Sequence, residues 1–186
     1  MRTCGIVLAA GAGTRYGSPK GLARTAHGAP WVRLAADMLR TGGCDDVLVA
    51  VGARADEVAA LVPAAARTVR VEDWHEGLSA TLRAALGAAS VLDPDAVILT
   101  PVDTPDADPQ AVGRVMAALG DDPRRGLAQA TYGGRPGHPV AVGSAHLAPL
   151  AAAVSGDQGA RPYLVAHGVA EVECGDLWSG EDCDRR

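Results

Sequence analysis

A short apolar run that empties into a glycine-rich basic loop constrains this chain more than any other stretch. Gly5-Ile6-Val7-Leu8-Ala9 is followed by AGAGTRYGSPK, residues 10–20. The apolar run has the character of a strand buried on both faces. Gly11, Gly13 and Gly17 lack a Cβ, so backbone N–H groups there can turn inward around an anion. Arg15 and Lys20 add full positive charge where phosphates would lie. The spacing excludes a Walker A loop, because Lys20 is followed by Gly21 instead of Ser or Thr. Gly11 to Gly17 comes near a dinucleotide fingerprint, but that motif opens directly into a helix. Gly17, Pro19 and Gly21 disfavour helix here. The sequence predicts an extended loop around a nucleoside triphosphate, with Arg15 and Lys20 on its phosphates. Lys20 is the only lysine in the chain. Its solitude reflects either chance or a demand for a compact ammonium at that point.

The remaining pattern alternates strands with helices. Strands are expected at Asp46–Val51, Thr68–Val71, Ala96–Leu99, Gly126–Tyr132 and Val169–Val172. Helices are expected at Pro30–Arg40, Asp56–Leu61, Ser79–Ala89 and Pro109–Leu119. The fold class is therefore α/β, a three-layer Rossmann-like architecture whose mostly parallel sheet carries helices on both faces. At 186 residues a single domain spanning 1–186 is expected. Ligands of such sheets sit beyond the carboxyl ends of the strands, where the phosphate loop, Gly77 and Asp103 converge.

Composition narrows the function. A net charge of -5 offers no basic stripe for nucleic acid, so no nucleic-acid partner is expected. No apolar run approaches membrane-spanning length, and the passage from Met1 straight into a strand predicts no secretory leader. Cys4, Cys44, Cys174 and Cys183 are scattered without a CxxC pair, which favours reduced thiols in a cytoplasmic protein over a zinc or disulfide site.

Several polar residues have two readings. Asp103, past the fourth strand, is either a rim ligand for Mg²⁺, completed by phosphates and water, or a turn aspartate of an Asp-Thr-Pro sequence. Ser79 is a helix N-cap or a nucleotide contact. His138 is an acid–base group or shapes the loop after the strand ending at Tyr132. Arg161 reads an anion, or pairs with Asp157.

The stretch LAAGAGTRYGSPK resembles the signature of nucleotidyltransferases that make dinucleotide forms of the molybdenum cofactor, and above all the molybdenum cofactor cytidylyltransferases. The likeness recurs at Trp74-His75-Glu76-Gly77-Leu78-Ser79-Ala80-Thr81-Leu82, Pro101-Val102-Asp103-Thr104-Pro105, Gly137-His138-Pro139 and Gly156-Asp157-Gln158-Gly159-Ala160-Arg161. The resemblance implies transfer of CMP from CTP to the phosphate of molybdopterin or the molybdenum cofactor, with Mg²⁺ as cofactor and pyrophosphate released. It implies that Arg15, Lys20 and Asp103 are catalytic, with the metal on Asp103 and Asp176. Leu8, Ala9, Ala10, Gly11, Gly13, Thr14, Arg15, Lys20, Gly77 and Ser79 would bind the nucleotide, and His138, Asp157 and Arg161 the acceptor. Ala10 implies a cytidine or uridine nucleotide, since guanylyltransferases of the family read Ala-Gly-Gly there. A molybdoenzyme or its maturation chaperone is the implied protein partner. The rivals are GTP as donor, a sugar or polyol phosphate as acceptor, and a non-catalytic chaperone that hands cofactor to a molybdoenzyme.

The tail departs from the family's Asp-Ile-Asp-Thr-Pro-Glu-Asp. Here Asp176-Leu177-Trp178-Ser179-Gly180-Glu181-Asp182 replaces the middle aspartate by Trp178 and the proline by Gly180. Asp176 remains the candidate second carboxylate, while Asp182 and Asp184 are expected to be solvated.

Overall fold

The structure, a computed structural model, describes residues 1–183. Seven strands, β1 (Thr3–Ala9), β2 (Asp46–Val51), β3 (Arg67–Arg70), β4 (Ala96–Pro101), β5 (Leu127–Tyr132), β6 (Arg135–Gly143) and β7 (Ala170–Glu173), form one sheet in the order β3-β2-β1-β4-β6-β5-β7. The helices are α1 (Trp31–Thr41), α2 (Ala55–Ala59), α3 (Leu78–Ser90), α4 (Pro109–Ala117), α5 (Leu147–Ala153) and α6 (Arg161–Ala166). The expected Rossmann-like, mostly parallel sheet is present.

Alternation along the central strands divides the core into two layers. Val7, Ala9, Val47, Val49 and Ile98 face α1, α2 and α4, whereas Ile6, Leu48, Ala50, Val97 and Leu99 face α3, α5 and α6. Burial on both faces is why these strands read as continuous apolar runs. Helix α1 contributes Val32, Ala35, Ala36 and Leu39 to the first layer at one-face spacing. Pro30 caps α1 instead of occupying its first turn.

Strand β6 stands where the sequence suggests a loop after Tyr132, and it is the main difference from expectation. It runs antiparallel between β4 and β5. Tyr132 and Arg135 pair across a two-residue Gly133-Gly134 turn whose residues have φ of 59° and 74°, the backbone a tight hairpin demands. Pro136 and Pro139 made the segment look unstructured. The ladder tolerates them because the register shifts between Gln129 and Thr131. Since β6 runs backwards, its first residues lie on the rim where β1 and β4 end. Carrying the Leu99–Val140 pairing two residues on sets His138 level with Pro101.

Candidate active site

The loop after β1 does not continue as an α-helix, in agreement with its sequence. Gly17 N–H donates to Gly13 O at 2.8 Å, and Lys20–Leu22 then form a single 3₁₀ turn. Gly13 has φ of +62°, and a Cβ there would lie 2.0 Å from Ser18 O. Only glycine lets the loop fold back this tightly.

That turn delivers Lys20 to Asp103. Its Nζ lies 2.7 Å from Asp103 Oδ2, with side-chain exposures of 16% and 17%. Asp103 Oδ1 is buried with no hydrogen-bond partner. A buried carboxylate oxygen without a donor is costly, and a cation is the group that would satisfy it. Arg15 is exposed on the loop.

Two cavities meet at Leu8, near the end of β1. One, about 330 Å³, is lined by Leu8, Ala10, Gly11, Thr14, Gly77 and Asp157, together with Trp74 and His75. The other, about 220 Å³, shares Leu8 as a wall and holds His138, Gln129 and Arg161. Burial pushes the His138 imidazole down to about 4, with Asp103's charge acting in the opposite direction. His138 is therefore neutral at physiological pH.

Of the expected site residues, the structure brings Leu8, Ala10, Gly11, Thr14 and Gly77 to one cavity, and Lys20 to Asp103. Ala9 is buried in the sheet. Ser79 is not the N-cap; Gly77 holds that position, and Ser79 is wholly buried within α3 with its Oγ unpartnered. Its backbone N–H donates to Gly156 O at 3.0 Å, tying α3 to the Gly156–Arg161 segment. Asp157 and Arg161, grouped in the sequence, separate. Asp157 faces the first cavity, where its Oδ1 would be 2.5 Å from a Cβ on Gly77. Arg161 opens α6 and donates to Gln129 Oε1 at 2.9 Å in the second. Trp74 and His75 stood in a recognised motif, but as aromatics before a glycine they carried no signal of lining a cavity. Gln129 alternates inside a buried strand and is not distinguishable there from a structural glutamine.

Asp176, the candidate second carboxylate, has a protein partner in the structure. Its two carboxylate oxygens accept from Arg114 Nη1 and Nη2 at 2.5 and 2.8 Å, and this pairing holds its carboxyl below the usual range. Its charge is already matched there. Among the described residues no group of three or more His, Cys, Asp or Glu could hold a metal, and Asp103 is the candidate carboxylate. Such a sparse set is compatible with Mg²⁺, which commonly takes one or two protein carboxylates and completes its shell with phosphates and water. Asp184 lies outside the described residues.

The altered tail has a structural reason. Trp178 Nε1 donates to Tyr132 Oη at 2.6 Å, with the rings edge to face at 5.1 Å. Tyr132 Oη in turn donates to His138 O at 2.6 Å. A Cβ on Gly180 would lie 2.3 Å from the Tyr132 ring, and Gly180 has φ of +74°, so proline cannot stand there. The two departures are thus one packing unit on Tyr132. Glu173 fixes the start of the same tail by accepting from Thr131 Oγ1 and from the N–H groups of Gly133, Gly134 and Gly175, at 2.9–3.2 Å. The tail reaches the Asp103 loop, where Cys183 N–H donates to Asp103 O at 2.8 Å.

The profile of the MobA-like NTP transferase domain matches residues 5–172. Nicotine blue oxidoreductase of Paenarthrobacter nicotinovorans is 34% identical over 193 residues, covering 97% of this chain and 91% of that protein. The crystal structure of Rv0371c from Mycobacterium tuberculosis H37Rv superposes with a TM-score of 0.82 at 26% identity, over 100% of this chain and 93% of that one. A nucleotidyl transferase from Methanothermobacter thermautotroptrophicus has the same fold, with a TM-score of 0.82 at 21% identity over 99% and 92% of the two chains.

Proposed function

The chain belongs to the MobA-like NTP transferase family, and from that premise we propose that it transfers CMP from CTP to the phosphate of molybdopterin or of its molybdenum-loaded form, releasing pyrophosphate. The observation that carries this reading is the Lys20–Asp103 pair, set on the rim beside the glycine loop with one Asp103 oxygen unpartnered.

An oxygen of the acceptor phosphate attacks the α-phosphorus of CTP. The bond from that phosphorus to the bridging oxygen breaks, and pyrophosphate leaves with the electron pair. Such transfer depends on positioning and charge stabilisation more than on covalent participation by the protein. Backbone N–H groups of the glycine loop cradle the triphosphate, and Lys20 and Arg15 stabilise charge on the departing pyrophosphate. Nucleotidyltransferases generally use divalent metals; Mg²⁺ held by Asp103 supplies further positive charge to phosphate oxygens when bound. His138, neutral and beside Asp103, orients the acceptor without adding charge. No helix among the described residues is long and apolar enough to cross a membrane.

The choice of CTP draws on Ala10 and Asp157, which line one cavity. A carboxylate accepts hydrogen bonds; at ring position 4 cytosine offers it an amino group where uracil presents a carbonyl. CTP with Mg²⁺ is expected to raise the melting temperature more than GTP, ATP or UTP at matched concentration. A ligand at a hundred times its Kd adds about 2.7 kcal/mol, a shift that thermal unfolding resolves. Equal stabilisation by GTP rejects the cytidine assignment.

Asp176→Asn is expected to leave the Mg²⁺ requirement of turnover unchanged, because Arg114 already occupies that carboxylate. A raised requirement in a Mg²⁺ titration would return Asp176 to the metal site.

One observation favours a second reading, the 34% identity to nicotine blue oxidoreductase over almost the whole chain. In that reading the same cavities hold a dinucleotide and a coloured aromatic substrate. Pyrophosphate release from CTP supports transfer; bleaching of such a substrate by a reduced dinucleotide, without pyrophosphate, supports reduction.

A further inference from the structure

His138 sits where the pairing of its own strand is interrupted. Pairing of β6 with β4 ends at Leu99–Val140. Its pairing with β5 runs from Leu127–Val142 to Gln129–Val140 and resumes only at Thr131–Pro136. Residues 137–139 fall in the gap. Backbone carbonyls outside a ladder need other donors, and two side chains of β5 supply them. Gln129 Nε2 donates to Gly137 O at 3.1 Å, and Tyr132 Oη donates to His138 O at 2.6 Å. Gln129 and Tyr132 flank the register shift and are 5% and 4% exposed. A Cβ on Gly137 would lie 2.8 Å from two atoms of the Tyr132 ring, so that ring also lies flush against the backbone it clamps.

Each clamp is backed by a group that can only donate, since an indole N–H and a guanidinium have no acceptor. Trp178 Nε1 donates to Tyr132 Oη at 2.6 Å, which directs the phenol proton to His138 O. Burial pushes the Tyr132 phenol up, so that proton stays in place. Arg161 Nη1 donates to Gln129 Oε1 at 2.9 Å, which turns the amide with its NH₂ toward Gly137 O. The two relays thus start in the tail and at the first residue of α6 and end on consecutive carbonyls. Neither Tyr132 nor Trp178 lines the cavity that holds His138. Any effect of theirs on that cavity passes through the residues they hold.

We propose that Tyr132 and Gln129 are positioning residues that hold the His138 imidazole in its cavity, with Trp178 and Arg161 fixing the direction in which they donate. The assignment rests on the transfer reading above, in which His138 orients the acceptor. It gives Trp178, the tail's departure from the family pattern, a part in the site that no metal ligation requires. It also makes Arg161 a residue that acts through Gln129.

The first readout needs no turnover. The His138 imidazole signals, assigned by their loss in His138→Gln, are followed by NMR in the full chain. Tyr132→Phe, which keeps the ring and deletes the donor, is expected to shift and broaden them, and Gln129→Met to do so from the neighbouring carbonyl. Trp178→Phe, which leaves the phenol in place, is expected to shift them less. Turnover with CTP and molybdopterin reads the consequence. Misplacing a positioned group costs up to about 10²-fold, and Tyr132→Phe is expected to lower kcat/KM for molybdopterin about 10–10²-fold with CTP affinity unchanged. Trp178→Phe is expected to lower it about threefold, since only the polarisation of the phenol is lost. In a His138→Gln background Tyr132→Phe is expected to have no further effect, because groups that act through one another are not additive. A merely structural Tyr132 lowers turnover equally in both backgrounds. Trp178 is half-buried, so Trp178→Phe keeps the fold even where Tyr132→Phe does not. Unmoved His138 signals in either folded variant, or an equal loss of turnover with and without His138, overturns the assignment. If the signals move but CTP yields no pyrophosphate with the parent, the clamp stands and the transfer reading falls.

Discussion

Lys20→Ala is expected to lower the rate of pyrophosphate release from CTP by roughly 10²–10³-fold, the loss seen when one preorganised charge-stabilising group is removed. Lys20 begins the 3₁₀ turn that ends the phosphate loop, and its ammonium is mostly shielded from water. Shielding enlarges its effect on phosphate charge relative to an exposed lysine. Lys20→Arg should be impaired too, because the broad guanidinium must enter a space shaped for a compact ammonium 2.7 Å from Asp103. The rate at saturating CTP is the measurement, with thermal unfolding in parallel to separate chemistry from folding. Full activity in Lys20→Arg would refute the argument from the solitary lysine.

Asp103→Asn carries the second large effect. The substitution keeps the shape and an acceptor for Lys20 but removes the charge that would hold a divalent ion. Metal-dependent transfer is expected to fall by about 10³-fold or more, corresponding to the several kcal/mol of charge stabilisation a metal supplies. The fold should persist, since Asp103 lies beyond β4 and outside both apolar layers. A Mg²⁺ titration decides the matter: a variant that responds to Mg²⁺ as the parent does shows that Asp103 is not the ligand.

Where side chains report their surroundings locally, the sequence was legible. The strand of the phosphate loop announced itself by unbroken apolarity, and the refusal of that loop to become an α-helix followed from Gly17, Pro19 and Gly21. Helices α1, α3 and α4 were located within a few residues from one-face spacing and from Pro and Gly punctuation. Strand β6 escaped because Pro136, Gly137 and Pro139 dominate its first half, although Gly133-Gly134 between Tyr132 and Arg135 was a hairpin signal in plain view. Long-range pairing was the least legible. Nothing near Asp176 names Arg114, 62 residues away, as its partner. Trp178 and Gly180 were visible as departures from a family pattern and suggested a lost metal ligand. Only the Tyr132 ring between them shows that the two changes belong together.

If Lys20 meets the triphosphate and Asp103 the metal, as proposed, the ammonium–carboxylate contact between them ties the two ligands to each other. A triphosphate that arrives alone draws Lys20 away and leaves Asp103 with a second oxygen unmatched. A divalent ion that arrives alone takes Asp103 and deprives Lys20 of that partner. When both arrive, each charge released by one is met by the other. On the proposed reading nucleotide and metal are therefore expected to bind with positive heterotropic cooperativity, and thermodynamic reciprocity makes the factor the same from either side. The resting site would then be a lock that a single key of either kind turns with difficulty, and the pair turns together.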